Sequence, residues 1–116
     1  KFDEACVQFA KTFPKIIREI RAVNPDVKIY ADNIYNPAKG IDAFSQVYSA
    51  ADAYINRMNR GFYPSDEYVL VDIKKCFDGE KESMVNLSFK GREIDPHPSE
   101  KGHKKIAQMV IKAMER

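Results

Sequence analysis

The stretch at 95–103 carries the residue types from which a proton-transfer site can be built. It reads Asp-Pro-His-Pro-Ser-Glu-Lys-Gly-His, and Lys-Lys-Ile-Ala follows at 104–107. Proline suits the first turn of a helix and serine can cap its free amides, so His97 is predicted to lie on a loop directly before a helix. A histidine held there can act as a general base near neutral pH. A nearby carboxylate, such as that of Asp95, would fix its tautomer and stabilise its charged form.

The same stretch resembles a sequence block of a known enzyme family. The pattern Asp-x-His-Pro-Ser-x-x-Gly-His-x-x-Ile-Ala at 95–107 is similar to the last block of the SGNH/GDSL hydrolases, which are lipases and esterases. In that family an aspartate and a histidine a few residues apart complete a triad with a serine near the N-terminus. A weaker similarity to bacterial members extends upstream through 17–29 and 35–37. The resemblance implies hydrolysis of an ester substrate through an acyl-enzyme, with no metal or organic cofactor.

Carried over residue by residue, the resemblance assigns two catalytic roles. It makes His97 the base that takes the serine proton and then activates water, and Asp95 the acid that orients His97. The commoner spacing in the family is Asp-x-x-His, whereas position 94 is isoleucine in this chain. Members with Asp-Pro-His-Pro are familiar, so Asp95 is preferred, and Glu93 or a backbone carbonyl is the alternative orienting group.

The other blocks of the family have no counterpart in the chain. We find no Gly-Asp-Ser-Leu-like nucleophile segment, no Gly-x-Asn-Asp segment and no glycine block of an oxyanion hole. Ester cleavage needs these groups together, so the chain alone is not expected to be a competent enzyme. It also opens with Lys1 and Phe2 already inside an amphipathic pattern. We therefore expect residues 1–116 to be the C-terminal portion of one SGNH/GDSL domain, whose N-terminal half carries the nucleophilic serine.

The second histidine of the stretch favours a structural role. His103 shares a helical face with Ile106 and Val110, so we expect it to be packed against the core. A metal site formed by Asp95, His97 and His103 is less favoured, because the spacing suggests no fourth ligand.

Three polar residues near the ends of predicted strands have both a functional and a structural interpretation. Asp72 ends the second strand, where functional carboxylates lie in this fold class, but capping of the next turn is the commoner role. Tyr35 and Asn36 follow the first strand, where they could line a crevice. For Asn36, which precedes Pro37, a role in forming the turn is a sufficient explanation.

Hydrophobic periodicity divides the chain into alternating helices and strands. We predict a helix from Phe2 to Val23 that is kinked or restarted at Pro14. Further elements are a strand at 27–34, a helix at 41–60, a strand at 68–71 buried on both faces, a loop or short hairpin at 78–94, and a helix from Ser99. The apolar faces of the three helices comprise Phe2, Cys6, Phe9, Phe13, Ile16, Ile17, Ile20 and Val23; Phe44, Val47, Tyr48, Ala51, Tyr54, Ile55 and Met58; and Ile106, Met109, Val110, Ala113 and Met114.

Strands that alternate with helices imply parallel pairing and an α/β fold. We expect a three-layer α/β/α sandwich with a flavodoxin-like parallel sheet of the SGNH type. Two strands are too few to bury both faces of such a sheet, so the chain should supply only its C-terminal half. The rival interpretation is a complete, non-catalytic, flavodoxin-like binding or regulatory module, which would need more strands.

Composition limits the classes of partner. The chain of 116 residues is 44% hydrophobic and 31% charged, as in globular proteins, and its net charge of +2 gives no electrostatic case for nucleic acid or an anionic membrane.

No transmembrane run or signal peptide is recognisable, and the compartment is undetermined, with secretion slightly favoured by the resemblance. Cys6 and Cys76 have no metal-site or redox spacing and are expected to be free thiols. A dimer or a swapped assembly is expected.

Overall fold

The structure, a computed structural model, describes residues 1–39, 45–86 and 95–116. Within these ranges the chain forms helices and strands in the order helix, strand, helix, strand, helix, helix. They are α1 (Phe2–Val23), β1 (Tyr30–Asp32), α2 (Ser45–Asn59), β2 (Val69–Val71), α3 (Ile73–Asp78) and α4 (Glu100–Met114). None of the helices in these ranges has the length and apolar character needed to cross a membrane.

The two strands pair in parallel, as predicted, and give the chain a mixed α/β architecture. Tyr30 lies opposite Val69, and Asp32 lies opposite Val71. The ladder extends one residue beyond β1 at each end, because the Val69 N–H donates to the carbonyl of residue 29 at 2.9 Å and the N–H of residue 33 donates to the Val71 carbonyl at 3.2 Å. Both strands are shorter than the predicted apolar segments, and the described residues form a sheet of two strands.

Apolar side chains pack on both faces of this small sheet. Successive residues of a strand point to opposite faces, and Tyr30 packs against one cluster while Ala31 packs against the other. The clusters therefore lie on opposite sides of the sheet, the first with α3 and α4 and the second with α1. The first cluster comprises Val71, Ile73, Phe77 and Met84 with Ile106, Met109, Val110 and Ala113 packed against it, and the second comprises Phe13, Ile17 and Tyr68 with Phe9, Ile29, Phe62 and Tyr63.

The predicted burial of the second strand on both faces is wrong for this chain. Tyr68 and Val71 are buried, but Val69 and Leu70 are 39% and 40% exposed. A sheet of two strands offers the helices only a narrow strip to cover, so part of each face of β2 stays in contact with solvent.

The long helices also bury less of their apolar faces than predicted. Helix α1 buries Cys6, Phe13 and Ile17, and it continues through Pro14 without a restart. Several residues predicted to face inward are instead exposed, namely Ile16, Ile20, Val23, Val47, Tyr54 and Met114. The contacted stripe on each helix is therefore narrower than its predicted apolar face. Phe44 and the start of the predicted second helix lie outside the described residues.

The short helix α3 follows β2 directly and was not predicted. Asp72 is its N-cap, with a carboxylate oxygen accepting the Lys75 N–H at 3.1 Å, which confirms the capping role. The same oxygen accepts a hydrogen bond from the Asn33 side chain at 2.7 Å, so Asp72 also links the ends of the two strands. Six residues are too few for helical periodicity to be recognised in the sequence. Cys6 and Cys76 are both free thiols.

Candidate active site

The loop that carries His97 is held in place by its backbone. Pro98 forms an antiparallel bridge with Val85, and hydrogen bonds flank the bridge on both sides. The Asn86 N–H donates to the His97 carbonyl at 2.9 Å, and the Ser99 N–H donates to the Met84 carbonyl at 2.8 Å. The loop is thereby fixed to the chain that follows α3.

The helix after this loop begins as predicted. Ser99 is the N-cap of α4, and its hydroxyl oxygen accepts the Gly102 N–H at 3.0 Å. Gly102 is the buried residue of the first turn, because it lies against the backbone of Met84. The serine and the glycine of the motif thus each have a structural function: one caps the helix and the other permits its close packing.

Asp95 and His97 are hydrogen-bonded to each other within this loop. One Asp95 carboxylate oxygen lies 2.6 Å from His97 Nδ1 and also accepts the His97 backbone N–H at 3.0 Å. The second contact is an Asx turn, in which an aspartate accepts a hydrogen bond from the main chain two residues later. Because of this turn, the Asp95 carboxylate can reach the His97 ring although only one residue separates the two. The contact has the geometry expected of an orienting acid and a base, while the catalytic roles of both residues remain predictions.

Hydrogen bonding keeps Asp95 ionised. The backbone N–H and then the ring of His97 hold the pKa of the Asp95 carboxyl below its ordinary value, with a smaller contribution from the Asn86 side chain. A carboxylate can only accept hydrogen bonds, so a neutral His97 must carry its proton on Nδ1 and present Nε2 as an acceptor. The His97 side chain is 80% exposed, so the described residues leave the imidazole open to solvent and do not enclose it in a crevice.

The pair lies at the carboxyl end of the parallel sheet. Tyr35 comes three residues after the end of β1, and its hydroxyl donates to the Pro96 carbonyl at 2.7 Å. The Tyr35 ring packs against Phe77 of α3, with a centroid distance of 5.0 Å. Loops at this end of an open α/β sheet form the functional crevices of such folds. Tyr35 therefore contacts the candidate site, whereas Asn36 does not.

Asn36 is instead a structural residue of the turn after β1. It is fully buried, with its side-chain oxygen accepting the Ala38 N–H at 3.0 Å and its amide donating to the Tyr48 carbonyl at 3.0 Å. Its amide also lies 3.3 Å from an oxygen of Asp52 in α2. This arrangement supports the turn interpretation of Asn36.

A cluster of charges behind this turn was missed by the sequence analysis. The Lys74 ammonium lies 2.9 Å from Asp52 and 2.6 Å from Asp78, and only 12% of the Lys74 side chain is exposed. The spacing of Lys74 and Asp78 by four residues was the only signal in the sequence, because Asp52 lies on another helix. The cluster joins α2 to α3 next to Asn36, the side-chain amide of which lies 3.3 Å from an Asp52 oxygen.

The predicted packing of His103 is wrong. His103 is exposed, because the side of α4 that faces the core begins at Gly102 and continues through Ile106 and Met109. The approach of Gly102 to Met84 turns the neighbouring position 103 toward solvent. Among residues 1–39, 45–86 and 95–116, no group of three His, Cys, Asp or Glu side chains is arranged to hold a metal ion. Glu93, the alternative orienting acid, lies outside these ranges.

Comparison with protein-family models, with curated proteins and with solved structures finds no match to this chain.

Proposed function

We propose that this chain supplies the histidine and aspartate of a serine ester hydrolase of the SGNH/GDSL type. The nucleophilic serine and the oxyanion hole would come from a part of the protein outside these 116 residues. The observation that carries the proposal is the 2.6 Å contact between His97 Nδ1 and an Asp95 carboxylate oxygen, on a loop that precedes a capped helix.

The geometry of the pair suits general-base catalysis. With Nδ1 donating to Asp95, Nε2 is free to accept the proton of a serine hydroxyl as the serine oxygen attacks an ester carbonyl. His97 would then give that proton to the departing alcohol, which leaves an acyl-enzyme. In the second half of the reaction, His97 would take a proton from water as the water oxygen attacks the acyl carbonyl. It would return that proton to the serine oxygen as the acid leaves.

The exposure of the pair also fits the proposal. A base that serves a nucleophile from elsewhere in the protein must present Nε2 outward, and the His97 side chain is 80% exposed. Apolar side chains of the sheet are also partly exposed: Val69 is 39% exposed and Leu70 is 40% exposed. Additional strands and helices would cover these groups and complete a three-layer α/β/α sandwich. No metal or organic cofactor is needed for the proposed reaction.

The alternative of a complete, flavodoxin-like binding module is less favoured. Such a module covers a wider parallel sheet with helices on both faces, whereas the described residues form two strands. It also assigns no role to the hydrogen bond between Asp95 and His97. Forming that bond restricts the conformational freedom of an exposed loop.

The proposal is tested in a longer form of the protein that includes the upstream coding sequence. Hydrolysis of a short-chain aryl ester should be detectable, and a fluorophosphonate probe should label one serine. His97→Ala should lower kcat by about 10⁴ to 10⁶, since removal of a triad base has this effect in serine hydrolases. Probe labelling should fall with it, because the serine is activated by the same base.

His103→Ala is the matched control, because it removes a second exposed imidazole six residues away. It should leave both hydrolysis and labelling close to the parent. Hydrolysis that survives His97→Ala would overturn the proposal. Equal losses from both substitutions, with activity of the parent dependent on added zinc, would favour a metal site instead.

A further inference from the structure

The backbone around the Asp95–His97 pair is anchored at three consecutive carbonyl groups. Tyr35 Oη donates to the Pro96 carbonyl, the Asn86 N–H donates to the His97 carbonyl, and the Asn86 side-chain amide lies 3.3 Å from the Pro98 carbonyl. Two of these bonds come from the chain after α3. The bond from Tyr35 comes from the other direction, across 61 positions of sequence, and joins the loop to the end of β1.

Tyr35 is itself held firmly. Its ring packs against Phe77, which is 2% exposed, and belongs to the apolar cluster formed with Val71 and Ile73. A phenol ring has only two side-chain torsions, so a ring fixed on one face places its hydroxyl within a small volume. The Pro96 carbonyl accepts from that hydroxyl at 2.7 Å, a favourable distance for a bond of this type.

Pro96 lies between Asp95 and His97 in the chain. It has a fixed φ and no N–H, so its carbonyl is the polar backbone group through which this residue can be anchored. Fixing that carbonyl limits rotation of the peptide between Pro96 and His97, the N–H of which donates to Asp95 at 3.0 Å. The Tyr35 bond and the Asx turn therefore act on the same peptide group.

We propose that Tyr35 is a positioning residue for the Asp95–His97 pair: its hydroxyl holds the peptide that places the carboxylate against His97 Nδ1. The catalytic consequence rests on the proposed esterase function, whereas the positioning itself does not. Burial and then the charge of Asp95 raise the pKa of Tyr35, so the phenol stays protonated and remains a donor across the neutral pH range.

The test uses the 116-residue chain and Tyr35→Phe, which removes one oxygen atom and keeps the ring on Phe77. The Asp95 carboxyl is titrated by carbon-detected NMR, and the tautomer of His97 is read from its ring nitrogen shifts. In Tyr35→Phe the Asp95 midpoint should move up toward the ordinary aspartate value, because the two bonds that lower its pKa loosen. The Nδ1–H tautomer should become less populated, while thermal unfolding stays within about 3 °C of the parent.

Tyr54→Phe is the matched control, since Tyr54 is 58% exposed on α2 and its ring contacts Phe2 rather than the loop. It should leave the Asp95 midpoint and the His97 tautomer unchanged. A Tyr35→Phe chain with the parent's Asp95 midpoint and His97 tautomer would overturn the inference. So would a fall in the Asp95 midpoint.

A second measurement does not depend on the folding of Tyr35→Phe. The Tyr35 phenol is titrated in the parent and in Asp95→Asn, where its midpoint should fall but stay above the ordinary tyrosine value because burial remains. An unchanged midpoint would show that the phenol does not lie beside Asp95, as its bond to the Pro96 carbonyl requires, and would overturn the inference. In the longer protein, Tyr35→Phe should lower kcat about tenfold with KM unchanged. Failure of the NMR tests contradicts positioning by Tyr35, whereas full activity of His97→Ala contradicts the esterase proposal, so the two failures are distinct.

Discussion

Gly102 of α4 lies directly against the main chain of Met84, so that a Cβ atom at position 102 would be 2.1 Å from the Met84 carbonyl oxygen. The same carbonyl accepts the Ser99 N–H at 2.8 Å. This approach places the first turn of α4 against the segment that also anchors His97, so the glycine contributes to the geometry of the candidate site through the backbone.

Gly102→Ala should destabilise the chain although alanine is the better helix former. Replacing glycine by alanine in a helix interior stabilises the helix by about 1 kcal/mol. At position 102, however, the methyl group would overlap a backbone carbonyl that cannot rotate away. Relieving such an overlap typically costs about 1–3 kcal/mol, and here it requires α4 to move from Met84. We expect a lower urea midpoint than in the parent.

Gly79→Ala is the matched control for this substitution. A Cβ atom at position 79 would lie 3.5 Å from the Cys76 carbonyl oxygen, at ordinary contact distance, and the residue has a helical backbone with φ of −80°. Its urea midpoint should equal or exceed that of the parent. A Gly102→Ala chain as stable as Gly79→Ala would show that the contact with Met84 does not constrain α4.

Lys74→Met should destabilise the chain more at neutral pH than at acid pH. Burial alone would raise the pKa of Asp52, but hydrogen bonds from Lys74 and Asn36 hold it below its ordinary value. Burial alone would lower the pKa of Lys74, but hydrogen bonds to Asp78 and Asp52 raise it. Removing the ammonium leaves two carboxylates facing each other without a cation, which should cost on the order of 1–2 kcal/mol at pH 7, because both carboxylates are partly exposed.

The sign of the pH dependence follows from these directions. A lowered Asp52 pKa stabilises the fold above the ordinary aspartate value, and this contribution is lost as pH falls through the lowered pKa. A raised Lys74 pKa stabilises the fold below the ordinary lysine value, and this contribution is lost as pH rises through the raised pKa. Urea unfolding of the parent and Lys74→Met should therefore differ most between about pH 4 and pH 10.

Lys101→Met provides the comparison for an exposed pair, since Lys101 and Glu82 are 62% and 71% exposed. Its urea midpoint should change little at any pH. Equal effects of the two lysine substitutions at pH 7 would contradict a structural role for the Lys74 cluster.

Local signals in the sequence predicted the parts of the structure that depend on neighbouring residues. The caps at Asp72 and Ser99 and the parallel pairing of two strands could all be predicted, because capping and alternation of helices with strands are short-range patterns. The contact of Asp95 with His97 was expected as well, and it is local because the Asx turn that forms it joins residues two positions apart in the chain.

The features that were mispredicted or not predicted depend on contacts between distant segments. His103 was placed on the core face by periodicity, but the approach of Gly102 to Met84 sets the orientation of α4. The contact of Tyr35 with Pro96 joins residues 61 positions apart, and no local pattern specifies it. The exposure of Val69 and Leu70 likewise depends on how many strands the sheet contains, which an apolar run does not reveal.

Among the described residues no strand pairs with β2 on the side away from β1, which leads us to expect self-association of this chain. In a parallel ladder, the backbone groups of every second residue bond to the strand on one side, and those of the residues between them point to the other side. The N–H and carbonyl of Val69 and Val71 bond to β1, so those of Leu70 point away from β1 at the outer edge of β2. The edge is bordered by a groove next to Met109 and Lys112 of α4. Exposed strand edges with apolar side chains pair with other chains, so sedimentation velocity should show a dimer or larger species that grows with concentration.

Leu70→Lys should shift this equilibrium toward the monomer, because a charged side chain on an edge strand opposes pairing with a second copy. Ile111→Lys is the control, since Ile111 is 55% exposed on α4 and does not line the groove beside β2. It should leave the association constant near that of the parent. A parent chain that sediments as a monomer at every concentration would contradict the prediction.

The two histidines should differ in tautomer when both are neutral. His97 Nδ1 lies 2.6 Å from a carboxylate oxygen, which can only accept, so its proton should reside on Nδ1. His103 is exposed and its ring makes no hydrogen bond within residues 1–39, 45–86 and 95–116, so no protein partner selects one tautomer and both should be populated. Nitrogen shifts of the two rings, recorded above the pH range in which histidines ordinarily titrate, distinguish these states.

In Asp95→Asn the preference of His97 for a proton on Nδ1 should weaken, because an amide can either donate or accept, while the tautomers of His103 stay unchanged. A His97 ring protonated mainly on Nε2 in the parent would contradict its proposed role, since that nitrogen must be free to accept the proton of a serine.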